Sequence, residues 1–566
     1  MRKKLLFLSL LFGFGTLIAQ TKYPTDYFSN PLDIPLILSG NFGELRSNHF
    51  HAGLDIKTQQ RQGLPVYAPA NGSVSRINIQ LWGYGKALYI THPNGYTTVY
   101  GHLKKFAPKI EAYIKKLQYE KESFTVEAFP KSGELTVEKG ELIAYTGNTG
   151  GSGGPHLHFE IRDSKSNPIN PMLFGIEIPD SRPPEIRSAL VYSFGDSSQV
   201  NQTNRPFELQ LKRQKDGSLL ADKIEAFGTI GIGINAIDKQ DGALNHNGIY
   251  SLEMYVNGER VYEHDLETIS FAESSFINTF IDYARYVNKR QYIQKCFVVP
   301  ANKLSIYHYL KNNGFLTIND GLSYTVRIIV RDVKGNKQEL TIPIKGKKED
   351  YIVKQDIPET PYYFKVNEFN KIEDQKVSVA FPKQSFYEDL YFDFSVADSI
   401  VHLHDPSVAL NKPFTLTFDI SDLTAVNKKQ LFIASISDRG RLSYNTSTLK
   451  ENKIYTLSKK LGTYTIAIDS VKPRIIPINF KDNQWLSNYR FLELKVSDNL
   501  TGVKFFRGTI DDKWILLEYD PKTGKLTYDF DDLPLDGTKH TLKVIAIDNV
   551  NNTNVYIATF FRKNAP

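Results

Sequence analysis

The chain has 566 residues, of which 41% are hydrophobic and 23% charged, a composition typical of soluble globular proteins. That length is too great for one hydrophobic core and predicts about three to five domains. The formal charge of +7 is spread along the chain without a basic patch, which argues against nucleic-acid binding. Cys296 is the only cysteine, which excludes an internal disulfide and argues against a cysteine-based metal site.

The first residues have the layout of a secretory signal peptide, which we assign to residues 1–19. Residues 2–4 are basic, residues 5–18 are almost entirely apolar, and Ala19 supplies a small residue before the polar chain begins. No later stretch reaches the roughly 18 apolar residues of a membrane span. We therefore expect an exported protein of the periplasm or cell envelope, or a secreted one, without a membrane span after signal removal. An uncleaved anchor is the alternative.

Residues 20–178 form the first predicted domain. Short apolar runs at 64–68, 87–91 and 141–145 are separated by Gly, Asn and Pro, a pattern that predicts β-strands. A proline-rich stretch, residues 171–184, predicts the exit from this domain.

One helix interrupts the predicted strands, near residues 106–120. After Pro108, apolar side chains recur at helical spacing with Lys and Glu between them, at Ile110, Ile114 and Leu117. The helix belongs to a segment of about 38 residues, 103–140. That segment is either an insertion that borders the functional groove or a neutral decoration.

The rest of the chain reads as strand after strand. Residues 324–336 and 541–552 are related: each is an alternating strand, then an Asp, then a Gly/Asn turn. Short, evenly spaced strands of this kind predict immunoglobulin-like β-sandwich domains at 184–347 and 471–566. Residues 356–470 are also β-rich, with a topology that the pattern does not define. The predicted fold class is therefore mainly β throughout.

A His-x-His pair marks the most informative strand. In His156-Leu-His158 both imidazoles project to one face, about 7 Å apart along the strand. At that separation both cannot bind one zinc ion without bending the strand. The spacing suits one metal ligand beside one imidazole for acid–base chemistry, without saying which is which. A second copy, His402-Leu-His404, lies far from other histidines and predicts an exposed strand face.

His51 and Asp55 supply further ligands of the type that zinc prefers. Gly53 between them allows a tight backbone path toward one ion. One carboxylate and two imidazoles leave a charge of +1 on the zinc site and a fourth position open for water, the mark of a catalytic centre.

Four stretches in order resemble the lysostaphin/LytM-type zinc endopeptidases of bacterial cell walls, peptidase family M23. They are His51-Ala-Gly-Leu-Asp55, Gly63-Leu-Pro-Val-Tyr-Ala-Pro-Ala-Asn-Gly72, Gly101-His102 and His156-Leu-His158. The resemblance covers about 140 residues and implies a small antiparallel β fold with a groove. It implies Zn²⁺ held by His51, Asp55 and His158, with His102 and His156 as the catalytic pair that does not bind the metal.

Other residues near these motifs receive lesser roles. Glu160 is interpreted as a supporting residue, and Tyr100 and Asn41 as possible substrate contacts. The Gly-rich run 147–154 predicts a flexible rim. Its Gly-x-Ser-x-Gly match at 150–154 is not taken as a serine nucleophile site, because a strand rather than a helix follows.

The resemblance implies an exported zinc metalloendopeptidase that hydrolyses cross-links or stem peptides of peptidoglycan through a metal-activated water. One alternative is a non-catalytic wall-binding or scaffold protein, with the β domains as docking modules for a protein partner. Another is a secreted protease that acts on foreign walls or Gly-rich proteins.

Overall fold

The computed structural model describes residues 22–356, 358–424 and 426–563. Strands account for 46% of the residues and helices for 7%, which confirms the predicted mainly β fold. The proposed signal peptide, residues 1–19, lies outside the described residues. None of the helices in the described ranges has the length and apolar character that a membrane crossing requires.

The N-terminal domain is built on a nine-stranded sheet. Strand Leu54–Lys57 lies between Leu38–Gly40 and His156–Arg162, and the latter pairs on its other side with Thr97–Gly101, always antiparallel. This order brings chain segments about 100 residues apart side by side. The strands are Leu38–Gly40, Leu54–Lys57, Gly72–Ile79, Lys86–Thr91, Thr97–Gly101, Val126–Ala128, Thr136–Val137, His156–Arg162 and Pro168–Ile169.

Alternation along strand His156–Arg162 fixes its orientation in the sheet. Leu157, Phe159 and Ile161 are fully buried in the core of the N-terminal domain. Because strand side chains alternate, the intervening polar residues share the opposite face. A three-stranded sheet and one hairpin complete the β structure of this domain, with strands Pro65–Tyr67, Lys105–Phe106, Leu142–Tyr145, Leu45–Arg46 and His49–Phe50.

The helix of this domain is Pro108–Glu120, where the sequence placed one near residues 106–120. Pro108 occupies the first turn, where its missing N–H costs no hydrogen bond. Ile110 and Ile114 are buried at helical spacing, which anchors one face of the helix on the core. The other described helices are short: Ile277–Phe280, Tyr283–Lys289, and the 3₁₀ helices Pro171–Phe174, Phe271–Phe276, Asn312–Gly314 and Lys428–Gln430.

The first β unit follows the proline-rich exit and contains a twelve-stranded sheet. Buried apolar side chains from residues 266–281 and 304–306 of this unit pack into the core of the N-terminal domain, whereas Cys296 between them packs into the core of its own unit. The two parts are therefore joined by a shared apolar core. The strands are Glu185–Val200, Phe207–Glu208, Leu211–Arg213, Leu219–Ala221, Ile224–Ile237, Ser251–Val256, Glu259–Asp265, Gln294–Lys295, Tyr307–Leu310, Leu316–Ile318, Ser323–Arg331 and Lys337–Gly346.

The middle β unit places one core between two five-stranded sheets, with a two-stranded pair beside them. One sheet contains Asn370–Asp374, Val377–Phe381, Phe414–Asp419, Ser447–Lys450 and Lys453–Ser458. The other contains Phe394–Ala397, Ile400–Leu403, Leu431–Ile436, Leu442–Asn445 and Gly462–Ile468. The additional pair is Tyr362–Phe364 with Leu390–Phe392.

The last β unit has the same two-layer plan, with a four-stranded and a five-stranded sheet around one core. The four-stranded sheet contains Arg474–Pro477, Phe491–Ser497, Glu518–Asp520 and Lys525–Asp529. The five-stranded sheet contains Gln484–Trp485, Val503–Ile510, Lys513–Ile515, Lys539–Asp548 and Thr553–Phe561. The immunoglobulin-like assignment of the first and last units stays a prediction.

The last β unit contacts the helix of the N-terminal domain, although several hundred residues separate them. Lys115 lies 2.5 Å from Asp532, and Tyr119 donates a hydrogen bond to the same carboxylate. The ring of Tyr119 also meets the edge of Trp514, with centroids 5.2 Å apart. Helix Pro108–Glu120 of the N-terminal domain therefore packs against the last β unit.

Candidate metal centre

The candidate metal centre, His51, Asp55 and His158, lies on one face of the N-terminal sheet. Strands Leu54–Lys57 and His156–Arg162 are antiparallel neighbours, and their register pairs Asp55 directly with His158. Directly opposite residues in antiparallel strands share a face, so both side chains project together. His51 reaches the same point from the loop before Asp55. The local chain path therefore positions His51, and strand pairing positions His158.

Gly53 lets this loop pass against the neighbouring strand. A Cβ atom at Gly53 would lie 2.4 Å from the carbonyl oxygen of Phe159, closer than any side chain can approach. The glycine of the His-x-Gly-x-Asp stretch is therefore needed for a close backbone approach.

The three candidate ligand atoms lie at nearly equal distances from one another. Asp55 Oδ1 is 3.0 Å from His51 Nε2 and 2.8 Å from His158 Nδ1, and the two nitrogens are 3.1 Å apart. Tetrahedral zinc with bonds of about 2.0–2.1 Å places neighbouring ligand atoms roughly 3.3 Å apart. All three side chains are buried, and the triangle that they form fits one metal ion.

The far nitrogens of both rings are held by oxygen atoms. His51 Nδ1 donates to the carbonyl of Asn41 at 2.7 Å, and His158 Nε2 donates to Glu160 Oε1 at 2.7 Å. Those oxygens can only accept, so the protons of the neutral rings sit on the far nitrogens. The lone pairs of His51 Nε2 and His158 Nδ1 then face the centre, as a metal ligand requires.

Arg46 holds the other oxygen of the carboxylate ligand. Its guanidinium lies 2.6 Å from Asp55 Oδ2, which leaves Oδ1 for the centre. Burial opposes ionisation of Asp55, but the surrounding imidazoles of His51, His156 and His158 hold its pKa well below the usual range. Asp55 is therefore an anion, as a ligand for a cation must be.

Glu160 is the buried support of His158. It accepts hydrogen bonds from Tyr84 Oη at 2.5 Å and from Arg162 Nε at 2.6 Å, besides the one from His158. Burial raises the pKa of Glu160, but His158 and Arg162 outweigh it and lower the pKa to about 2. Burial lowers the pKa of His158, but Asp55 and Glu160 outweigh it and raise the pKa to about 9, so a metal ion at Nδ1 would displace a proton there.

His102 and His156 face each other beside the centre, with ring centroids 4.7 Å apart. His102 Nδ1 donates to the carbonyl of Thr149 and His156 Nδ1 to that of Gly154, each at 2.8 Å. His156 Nε2 is buried 3.4 Å from Asp55 Oδ1, without a hydrogen-bond partner in the described ranges. Burial, with His158 and His156 close by, lowers the pKa of His102 to about 3. In both neutral rings, Nε2 is the nitrogen able to take a proton.

The backbone of His102 is in the left-handed region, with φ at 58°. A non-glycine residue in this region is uncommon and is held there by its surroundings. The N–H of His102 donates to Tyr84 O at 2.8 Å, and its side chain bonds to Thr149. These contacts fix the ring against the Gly-rich segment.

In the Gly-rich segment, residues 147–154, the first glycines are closely packed, and the flexibility that the composition predicts for this rim stays a prediction. A Cβ atom at Gly147 would lie 2.3 Å from Lys104 N, and one at Gly150 would lie 2.4 Å from Gly83 O. Gly151 N also donates to Gly83 O at 2.8 Å. Gly147 and Gly150 therefore serve close backbone packing, whereas Gly153 and Gly154 have open space beside them.

The last β unit reaches this rim through Lys522. Its ammonium group donates to the carbonyls of Asn148 and Ser152, at 2.9 Å in the latter case. Nearby, Glu518 lies 3.0 Å from the buried ammonium group of Lys86, in the N-terminal sheet. The last β unit therefore contacts the Gly-rich segment and the sheet beside the candidate metal centre.

Replacing Lys522 with alanine is expected to loosen residues 147–154, because two backbone carbonyls lose a charged donor. Hydrogen–deuterium exchange of the amides in that segment should accelerate, by about tenfold if roughly 1.4 kcal/mol of local stability is lost. Lys525→Ala is the matched control, since Lys525 pairs with Glu493 inside its own unit. Equal exchange in Lys522→Ala and the unaltered protein would show that the contact does not stabilise the rim.

Several residues singled out in the sequence take other roles. Tyr100 is fully buried and its hydroxyl bonds to Thr98, so its assignment as a substrate contact is wrong. Asn41 does not extend toward a substrate either, because its side chain bonds to Gly248 while its carbonyl holds His51. His402 is partly exposed beside Asp393, far from this centre in the sequence.

Three residues that the sequence did not single out belong to the centre: Arg46, Tyr84 and Arg162. The ring of Tyr84 stacks on His158 with centroids 5.0 Å apart, and its hydroxyl bonds to Glu160. A polar residue two positions beyond His158 was a usable signal for Glu160. Nothing local marks Tyr84, which arrives from a turn more than seventy residues earlier.

Comparison with known proteins adds the family of this domain. The family model described as peptidase family M23 matches residues 49–119 and 126–171. A second model, described as a Zu5-like domain, matches residues 361–469, the region of the middle β unit.

Similar proteins match the same part of the chain. A Haemophilus influenzae protein named "Uncharacterized metalloprotease" is 38% identical over 127 residues, 22% of each chain. The "DD-carboxypeptidase/endopeptidase Mpg" of Neisseria meningitidis serogroup B is 32% identical over 136 residues, 24% of this chain and 25% of the relative. The chain thus spans about a quarter of the length of these relatives.

Among solved structures, a zinc-containing peptidase from Vibrio cholerae is 26% identical and covers 27% of this chain and 41% of its own. Its TM-score of 0.20 is too low for the likeness to support a structural conclusion.

The antiparallel sheet and the buried His–Asp–His triangle define the class: a mainly β domain with a centre suited to one metal ion. The matched motifs narrow that class. The N-terminal domain is a domain of peptidase family M23, and several β-sheets follow it.

Proposed function

We propose that this chain is an exported zinc endopeptidase that hydrolyses peptide bonds in peptidoglycan. The M23 match and relatives named as peptidoglycan DD-endopeptidases, such as ShyA of Vibrio cholerae, support a hydrolase of peptidoglycan. The sequence of residues 1–19 supports export to the periplasm or cell envelope.

The observation that carries the proposal is the complete set of five side chains in one place. His51, Asp55 and His158 present their lone pairs to a common point. His102 and His156 stand next to it with their Nδ1 protons already engaged. Metal binding and proton transfer are both available without any rearrangement of the sheet.

The proposed chemistry is hydrolysis by an activated water. Zinc, when bound, polarises the scissile carbonyl and lowers the pKa of a bound water. His156 Nε2 and His102 Nε2 are the atoms able to take a proton and later return it to the leaving amine. Once protonated, either nitrogen also donates a hydrogen bond to the developing oxyanion.

The proposal extends to the remainder of the chain. We assign residues 184–347, 356–470 and 471–566 as separate β domains that present the peptidase to the wall or to a protein partner. The Zu5-like match over residues 361–469 supports the boundaries assigned to the middle β domain, residues 356–470. The contact of Lys522 with the rim supports a role for the last unit beside the groove.

The test is digestion of purified peptidoglycan sacculi by the zinc-loaded protein without its first 19 residues. Mass spectrometry of the released muropeptides should show new amino and carboxyl ends at a cross-link or within the stem peptide. Asp55→Asn protein is the inactive control. A pentaglycine peptide, tested in parallel, separates wall-specific cleavage from general cleavage of Gly-rich chains.

Intact sacculi after incubation with protein shown to contain zinc would contradict the proposal. Binding to sacculi without any cleavage would favour the scaffold alternative. Cleavage of pentaglycine alone would favour a secreted protease with a different substrate.

A further inference from the structure

Three aspartates meet at the junction between the N-terminal domain and the first β unit. Asp180 lies in the proline-rich exit, Asp238 follows strand Ile224–Ile237, and Asp332 follows strand Ser323–Arg331. One carboxylate oxygen of each lies within 4.8 Å of those of the other two. The cluster therefore joins a connecting segment to the ends of two strands.

Asp238 combines deep burial with an unpaired carboxylate oxygen. The residue is only 4% exposed, and its Oδ1 has no hydrogen-bond partner among the described residues. Leaving a buried carboxylate oxygen unpaired is costly unless a cation or a proton compensates it. A cavity of about 20 Å³, lined by Asp180 and Asp238, offers room close to what one water molecule or ion needs.

In the described part of the chain, no basic side chain neutralises the charge of these carboxylates. The adjacent bases pair elsewhere: Lys239 lies 3.0 Å from Glu185, and Arg331 lies 3.5 Å from Glu253. No lysine, arginine or histidine within the described ranges forms an ion pair with the three carboxylates. Burial and mutual repulsion raise the pKa of Asp238 to about 8 and that of Asp180 to about 6.

The same arrangement recurs in the last β unit, with Asp469, Asp498 and Asp548. Both copies begin with Asp-Ser and reach a Pro-x-Ile four residues after the Asp, at 180–186 and 469–475. The other two aspartates stand in Asp-x-x-x-Gly and Asp-x-x-x-Asn in each copy. The two clusters are therefore equivalent features of a repeated unit.

The hydrogen bonds repeat as well. Asn336 donates from its backbone and side chain to the two oxygens of Asp332 at 2.9 and 2.7 Å. Asn552 does the same to Asp548 at 2.8 and 2.7 Å. The side chain of each asparagine also reaches the carbonyl of the first aspartate in its copy, at 3.2 and 2.8 Å. This shared frame holds three carboxylates together twice in one chain.

Among the described residues, the copies share an unpaired carboxylate oxygen, at Asp238 and at Asp498, but differ in charge at one further position. In the last unit, Thr501 donates from its hydroxyl at 2.8 Å and from its backbone at 3.2 Å to Asp469. The corresponding residue of the first unit is Asp241, a further carboxylate that raises the pKa of Asp180. The first copy thus has an added negative charge where the last copy has a donor.

We propose that Asp180, Asp238 and Asp332 bind one Ca²⁺ ion. The donors are all oxygen atoms, which suits a hard cation rather than zinc. The carboxylates come from a connecting segment and from the ends of two strands, and they do not form an octahedral cage. Ca²⁺ tolerates such irregular geometry, whereas Mg²⁺ does not. The ion fastens the exit segment to the first β unit beside Asn41, which lines the same cavity and whose carbonyl holds His51.

The test uses the zinc-loaded full chain, so that the M23 centre is filled throughout. Calorimetric titration with Ca²⁺ should show one site in the range of about 10⁻⁶–10⁻³ M typical of sensors and extracellular modules. Saturating Ca²⁺ should raise the melting temperature by several degrees, since ligand binding to the folded state stabilises it. Tyr250 lines the cavity, so Tb³⁺ bound there should luminesce on tyrosine excitation, and Ca²⁺ should displace it.

Asp238→Asn should abolish Ca²⁺ binding, the thermal shift and the Tb³⁺ signal. Without Ca²⁺, and above pH 8, this variant should melt at or above the temperature of the unaltered protein, because the amide removes a charge that the other carboxylates repel. Asp498→Asn, at the equivalent position of the last unit, should bind Ca²⁺ as the unaltered protein does. Absence of Ca²⁺ binding by the unaltered protein at about 10 mM, or loss of the bound ion in Asp498→Asn alone, would overturn the proposal.

Discussion

Replacing Asp55 with asparagine is expected to empty the proposed zinc centre and abolish hydrolysis. Asp55 Oδ1 lies 3.0 Å from His51 Nε2 and 2.8 Å from His158 Nδ1, so it completes the triangle of ligand atoms. The amide keeps the shape but removes the only anionic ligand, leaving two neutral imidazoles and the nearby Arg46 cation. Electrostatics then oppose the binding of a divalent ion.

We expect zinc affinity to fall by at least about 100-fold, since even partners of the ligands contribute 10–100-fold. Elemental analysis should find no zinc in the purified variant, and muropeptide release should be undetectable. Asp393→Asn is the matched control, because Asp393 also contacts a His-x-His histidine, His402, at 3.3 Å. A variant Asp55→Asn with one tightly bound zinc ion per chain would show that the ligand set is misassigned.

The sequence was most informative where short-range spacing and strand alternation act together. His51 and Asp55 are four residues apart, and the intervening Gly53 permits the close approach seen in the structure. The alternation of His156, Leu157 and His158 placed both imidazoles on one face, and the register places Asp55 opposite His158. Motif and geometry agree within each short stretch, because few residues separate the groups that must meet there. The pairing of the two stretches, which are about 100 residues apart, is set by the sheet.

The assignment of Tyr100 as a substrate contact is wrong because it ignores the alternation of side chains along strand Thr97–Gly101. Gly101 pairs with His158 and Tyr100 pairs with Phe159, so Tyr100 belongs to the core face of its strand. Its full burial follows from that parity. Gly101 and Tyr100 are adjacent, so their side chains face opposite sides of the sheet. Alternation counted from Gly101 therefore predicts a core position for Tyr100.

Contacts between segments far apart in the chain could not be predicted from the sequence pattern. Tyr84 reaches Glu160, and Lys522 reaches Ser152, through sheet pairing and unit packing that no local spacing encodes. Apolar residues within 266–281 and 304–306 likewise pack into the N-terminal core, although alternation alone groups them with the first β unit. A single sequence predicts strands well, but which strands meet depends on burial summed over the whole fold.

Substituting His156 or His102 with alanine should separate catalysis from metal binding. Neither ring supplies an atom to the triangle of candidate ligands, and both have Nδ1 bonded to a backbone carbonyl. Removing a positioned proton-transfer group costs about 10²–10⁴-fold in rate. We therefore expect kcat to fall by that factor in each variant, with one zinc ion per chain retained.

The double variant distinguishes shared from separate roles. The rings are 4.7 Å apart, so the two groups are expected to act together on one proton and one oxyanion. The loss in the double variant should then be much smaller than the product of the single losses, because residues acting as a unit are non-additive. His49→Ala is the control, since its exposed ring bonds only to Ser47 O nearby and should leave kcat unchanged. Loss of zinc in His156→Ala would instead place that ring among the ligands and return the proton transfer to His102 alone.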